Sequence, residues 1–156
     1  MARCLSRFVG EERGTQLVEL AIVLPVLLLM FAATAEFGRF FYTYSTLAKA
    51  TRLGARYLSA KAVNVKEETT ARNLVVYGDP AGGGTPLLTG LSTNNVEVTH
   101  AGGVGALPQT VTVRITSYRY QPLLNLGKLV GNPSLTLSID VKPSTTMRYL
   151  LTQPPI

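Results

Sequence analysis

Sixteen consecutive residues carry no charge, Leu20 to Ala35 (LAIVLPVLLLMFAATA), and Glu19 and Glu36 bracket them. Such a run has to leave water. As a helix at 1.5 Å per residue it spans about 24 Å, a little less than the ~30 Å hydrocarbon core of a bilayer. Adding Thr15 to Val18 supplies the missing length, but only by drawing the Glu19 carboxylate into lipid. An ionisable group there costs roughly 2.5–3.5 kcal/mol on insertion scales, so Glu19 calls for a function. Pro25 also lies inside the run. It removes one backbone hydrogen bond and frees the Ala21 carbonyl, which predicts a bend or a loosened turn.

The run accounts for a composition that is 46% apolar and only 15% charged. A chain of 156 residues has room beside it for one small domain and not for two cores. The net charge of +6 is spread singly from Arg3 to Arg148 without a dense stripe, which argues against nucleic acid as a partner. Cys4 is the only cysteine, so no intrachain disulfide forms. It precedes the apolar run, the wrong side for an acylated lipoprotein cysteine.

Three readings of the N-terminal third compete. Ala33-Thr34-Ala35 matches a signal-peptidase site after an apolar core, which would release a secreted or periplasmic binding domain. The run could instead be a plain signal anchor, or the apolar helix of a pilin whose short basic leader is removed. Arginines at 3, 7 and 13 face Arg39, Lys49, Arg52 and Arg56 across the run, so charge asymmetry sets the orientation weakly. The N-terminus is placed in the cytoplasm because the rest reads as an exported domain.

Residues 36–63 contain no proline and keep a helical rhythm. Phe37, Phe41, Tyr44, Ala48, Thr51, Ala55, Leu58 and Ala62 step by four and three, a stripe expected to pack on a domain. One continuous helix of about fifty residues is predicted, with Gly38 and Gly54 as weak points. Beyond residue 63 the rhythm becomes alternation, in NVEVTH (95–100), TVTVRITSYRY (110–120) and LTLSIDV (135–141), with MRYLL (147–151) as a last strand. Gly/Pro-rich loops at 78–86, 101–108 and 126–134 separate them. The fold class is therefore α+β, a long N-terminal helix packed on a small antiparallel sheet. Its domains are a leader (1–14), a transmembrane helix half (15–35), an amphipathic helix half (36–63) and a β domain (64–156).

Catalytic chemistry has little to stand on. His100 is the single histidine, and the acids after Ala35 form no metal-binding pattern. The GGGT at 82–85 lacks the lysine and spacing of a P-loop. Arg114, Tyr118, Arg119 and Tyr120 read as an exposed face of a strand. The chain is expected not to be an enzyme and to need no cofactor or metal.

Glu12-Arg13-Gly14-Thr15, Glu19 five positions beyond Gly14, Leu24-Pro25, Glu36-Phe37-Gly38-Arg39, Ala55-Arg56-Tyr57, Asn73 to Gly78, Gly90-Leu91 and Met147-Arg148 together carry a resemblance. The chain resembles TadE-like pseudopilins, minor components of the tight-adherence (Tad/Flp, type IVc) pilus system. The similarity spans nearly the whole chain and is densest over residues 11–60. It implies cutting by a membrane-embedded prepilin peptidase between Gly14 and Thr15. Arg3, Arg7, Arg13, Glu11 and Glu12 then leave with the leader, taking fifteen basic and nine acidic residues to twelve and seven, or +5. It also implies a pairing of Glu19 with the freed α-amino group of Thr15 on a neighbouring subunit, and a helix allowed by Pro25 to adapt as it leaves lipid. Glu36 and Arg39, three residues apart, stand at the other membrane boundary as a pair or an interfacial anchor. The implied partners are the prepilin peptidase, other pilins and pseudopilins, and the inner-membrane assembly platform. The implied place is a single pass through the inner membrane, C-terminal domain outside the cytoplasm, with use in surface adhesion.

Overall fold

The computed structural model describes residues 12–103, 108–123, 131 and 138–151, with side chains in the first helix from Gly14 onward. Helix α1 runs unbroken from Glu12 to Ser59, through Pro25. The chain divides into two compact units at the Gly38–Arg39 bond.

The first unit is the apolar part of α1. Leucine, alanine and methionine are strong helix formers and carry it. Its described large apolar side chains, among them Leu17, Ile22, Leu27, Met30 and Phe31, are exposed. The helix is long and apolar enough to cross a membrane, and an apolar surface of this extent in water needs a partner.

In the second unit the rest of α1 packs with helix α2 (Val65–Tyr77) and a sheet of three strands, β1 (Val96–Ala101), β2 (Thr110–Ile115) and β3 (Ser144–Arg148). The order is β1-β2-β3, antiparallel throughout, with Val98 opposite Val113 and Val113 opposite Thr145. This is the α+β arrangement expected from the sequence. The core joins Leu47, Ala55 and Leu58 of α1, Ala71, Val75 and Val76 of α2, and Val111, Val113 and Ile115 of β2. Gly54 lets the layers meet closely: a Cβ there would lie 2.6 Å from Cγ2 of Val75 and 3.6 Å from Cγ1 of Val113.

Several expectations are corrected. Helix α2 stands where the alternation rule places the start of the β domain. Asn64 caps it by accepting from the Glu67 amide at 2.8 Å, Glu67 and Glu68 sit in its first turn, and Gly78 closes it at φ 73°. The helical stripe is rotated: Leu47, Ala50, Thr51, Gly54, Ala55 and Leu58 are buried, whereas Phe37, Phe41 and Tyr44 are exposed. Helix α1 also stops at Ser59, where amides 60 and 61 bond back three residues to Tyr57 and Leu58.

Tyr118 and Tyr120 are buried, not part of an exposed face. Ser117 adopts φ 55°, which interrupts the alternation, so inward positions change from odd numbers (111, 113, 115) to even ones (118, 120). Finally, the last strand is Ser144–Arg148, not 147–151. Residues 135–137 of the predicted LTLSIDV strand lie outside the described residues. Its remainder pairs through one bridge, Arg119 with Asp140, and leaves Ile139 exposed.

Candidate functional site

Gly14 and Thr15 lie exposed in the opening turns of α1, and a Cβ placed at Gly14 would meet nothing within 4 Å among the described residues apart from its chain neighbours and the helix's own backbone. Glu19 is exposed one turn further on, between Val18 and Leu20, which are exposed as well. A carboxylate thus stands on an otherwise apolar helical surface, a costly arrangement wherever that surface is covered. Pro25 follows on the same helix. Glu36 and Arg39 differ sharply. Glu36 is 2% exposed, while Arg39 is open to solvent.

Arg39 forms one wall of a cavity of about 310 Å³. Thr43 stands one turn along α1, Thr89 comes from the loop after α2, and Tyr118, Tyr120 and Gln121 come from the segment after β2. Tyr120 is held edge-on against Phe40, centroids 5.4 Å apart and planes at 89°. The Tyr118 hydroxyl donates to the Thr89 carbonyl at 3.3 Å. Burial raises the Tyr118 hydroxyl above the ordinary tyrosine pKa. The sequence reading found Arg39 but not this cavity, because its walls come from three segments far apart in the chain.

A second cluster joins α2, β1 and the residue after β3. The His100 Nε2 lies 3.0 Å from a Glu68 carboxylate oxygen and its Nδ1 lies 3.0 Å from the Tyr149 hydroxyl. One tautomer satisfies both contacts, with Nε2–H donating to Glu68 and Nδ1 accepting from Tyr149. Arg72 adds its guanidinium to the other Glu68 oxygen at 3.8 Å. His100, read from sequence as a lone residue, is therefore a tie between three elements. The signal that could have found it was the Asn64-x-x-Glu67 cap, which would have placed Glu68 on a helix. Among the described residues, no group of three or more His, Cys, Asp or Glu side chains is placed to hold a metal.

Burial, and then the Glu68 charge, raise the Tyr149 hydroxyl above its ordinary value. The Tyr57 hydroxyl is raised chiefly by its hydrogen bond to Glu67. A raised folded-state value means the fold favours the neutral phenol. That preference is fully present below the ordinary tyrosine pKa of about 10 and is lost as pH climbs through the folded value. Urea unfolding of the whole chain in detergent should therefore show stability falling above about pH 10. Tyr149→Phe should cost about 1 kcal/mol at pH 7 and make that alkaline decline shallower. An unchanged alkaline slope in the variant would show that Tyr149 does not contribute to it.

The model of the TadE-like protein family matches residues 14–56, all inside α1. No curated protein and no solved structure matches the chain. The matched segment holds Gly14, Thr15, Glu19 and Pro25, the exposed apolar side chains from Leu17 to Phe31, and Glu36 and Arg39. The chain is thus similar to TadE-like proteins over its N-terminal helix, from Gly14 to Arg56.

Proposed function

We propose that the chain is a minor pseudopilin, a structural and assembly component of a Tad/Flp-type pilus used in surface adhesion. The observation that carries this is the coincidence of the TadE-like match with one uninterrupted helix. The helix is apolar and exposed in its first unit and serves as a core element in its second. Such a helix suits a subunit that waits in the membrane and is later drawn into an assembly of like helices, where the same surface is covered by protein.

Within this function a prepilin peptidase cuts between Gly14 and Thr15, and the helix is kept. Glu19 then meets the new α-amino group of Thr15 on a neighbouring subunit. Two opposite charges moved together into an apolar core cost far less than either alone. Pro25 lets the helix adjust its turn as it leaves lipid. The chain crosses the inner membrane once with the sheet-bearing unit outside the cytoplasm. Its partners are the peptidase, other pilins and pseudopilins, and the assembly platform; no catalytic step, cofactor or nucleic acid enters.

The test is the N-terminal residue of the protein isolated from its own cells, read by mass spectrometry. A chain that begins at Thr15 is the expected result. A chain that begins at Glu36 would mean release by signal peptidase after Ala35 and a secreted binding domain, and the roles given to Glu19 and Pro25 would fall.

A further inference from the structure

Along the chain the cations of α1 stand singly, but the helix gathers three of them on its outer face in the second unit. Tyr42, Ser45, Lys49, Arg52 and Arg56 step by three, four, three and four residues and so share one stripe. Lys49, Arg52 and Arg56 are exposed, and Leu53 sits among them, 45% exposed. Leu47, Ala50, Gly54, Ala55 and Leu58 are buried on the other side of the helix.

These three cations have no counter-charge. Elsewhere in the same unit Arg72, Arg114 and Arg119 each have a carboxylate oxygen nearby, at 3.8, 2.8 and 3.9 Å. Among the described residues, the side chains of Lys49, Arg52 and Arg56 make no ion pair and no hydrogen bond. Like charges three and four residues apart weaken a helix, so this face gains most from a negative partner.

The neighbours of the stripe narrow the partner's chemistry. A helix that lies on a membrane needs an apolar face free to enter lipid, and here the apolar face of α1 is in the core. A nucleic acid or other polyanion would meet only three cations along about 10 Å of helix and would leave Leu53 uncovered. A helix bearing carboxylates suits both features, acids against the cations and an apolar side chain against Leu53. The same unit of a second copy does not supply it. The acids of α2, Glu67 and Glu68, are adjacent in sequence and already engaged by Tyr57, His100 and Arg72.

We propose that the Lys49–Arg52–Arg56 face of α1 docks an acidic amphipathic helix of another protein, with carboxylates three, four or seven residues apart. Opposite charges set the register and reject basic partners, and Leu53 supplies the apolar contact. The proposal stands on the second unit alone; cleavage at Gly14 does not enter it, so either can fail without the other.

A photo-crosslinking benzophenone amino acid should be placed at Ser45 or at Leu53 of the full chain in its own cells, and the crosslinked peptide sequenced by mass spectrometry. The expected product is one peptide of another protein with helical patterning and two or more carboxylates at those spacings. Adding Lys49→Glu together with Arg52→Glu should lower the crosslink about tenfold or more, because two attractions become repulsions. Changing the facing carboxylates of the captured peptide to lysine should then restore it. Lys66→Glu, an exposed cation on α2, should leave it unchanged. Circular dichroism checks that each variant keeps its helices. A crosslink that survives the double reversal would overturn the proposal. So would a product with phospholipid, with nucleic acid or with a second copy of this chain, and so would no product from either position.

Discussion

Replacing Gly54 with leucine is expected to unfold the sheet-bearing unit. A Cβ at this position already stands 2.6 Å from Cγ2 of Val75, which is completely buried and β-branched and so has few ways to turn aside. Overpacking a tight core costs about 1–3 kcal/mol for modest insertions, and the further carbons of a leucine side chain go beyond that range. Small domains hold only about 5–15 kcal/mol in total. Gly54→Ala is the informative companion. Helix propensity alone would favour alanine by about 1 kcal/mol, yet the clash should reverse the sign and lower the melting temperature by several degrees. Adding Val75→Ala should restore part of the loss, a coupling that independent sites do not show. A Gly54→Ala chain as stable as wild type in thermal melts would mean that the layers have room to part.

The second large effect is expected at Glu19. If this carboxylate meets a neighbour's α-amino group within an apolar assembly, Glu19→Ala leaves that amino group charged and alone. Removing one member of a buried pair costs about 3–5 kcal/mol, or two to three and a half powers of ten in an association constant. The variant should therefore fail to co-purify with partner pilins, or fail to be processed at Gly14, and Glu19→Gln should do little better because it carries no charge. Normal processing together with normal assembly in Glu19→Ala would remove Glu19 from the mechanism and leave it a residue at headgroup level.

How much of this was legible in the sequence depends on whether a segment has one apolar neighbour or two. The apolar helix was plain, because sixteen uncharged residues have few alternatives. Strand β2 was plain for a related reason, with Val111, Val113 and Ile115 alternating against Thr112 and Arg114. The stripe on α1 misled because Phe37, Phe41 and Tyr44 have helical spacing but do not face the core, while polar Glu36 and Thr43 are buried. Apolar character marks a face that avoids water without saying what it turns to.

Helix α2 escaped because it buries only Ala71, Val75 and Val76. Its Thr69 and Thr70 hydroxyls bond back to carbonyls four residues earlier, a use of threonine that propensity does not foresee. The inward turn of Tyr118 and Tyr120 depends on one serine at positive φ, which no periodicity announces. Of the candidate site, Arg39 could be read directly. Thr43 and Gln121 could not, since only the fold brings them to one cavity.

The way the second unit closes sets a timetable for its making. Strands β1 and β2 lie close in sequence and can pair early. The Thr145 hydroxyl meets that of Thr51 across ninety-four positions at 3.2 Å, and the Leu150 amide reaches back to the Ser59 carbonyl at 2.8 Å. Contacts so distant in sequence form late. Until Ser144–Arg148 has paired with it, β2 therefore presents a bare strand edge, and bare edges recruit other strands. Under the function proposed above, a helix held in the membrane would meanwhile limit each unfinished chain to the neighbours beside it in the bilayer.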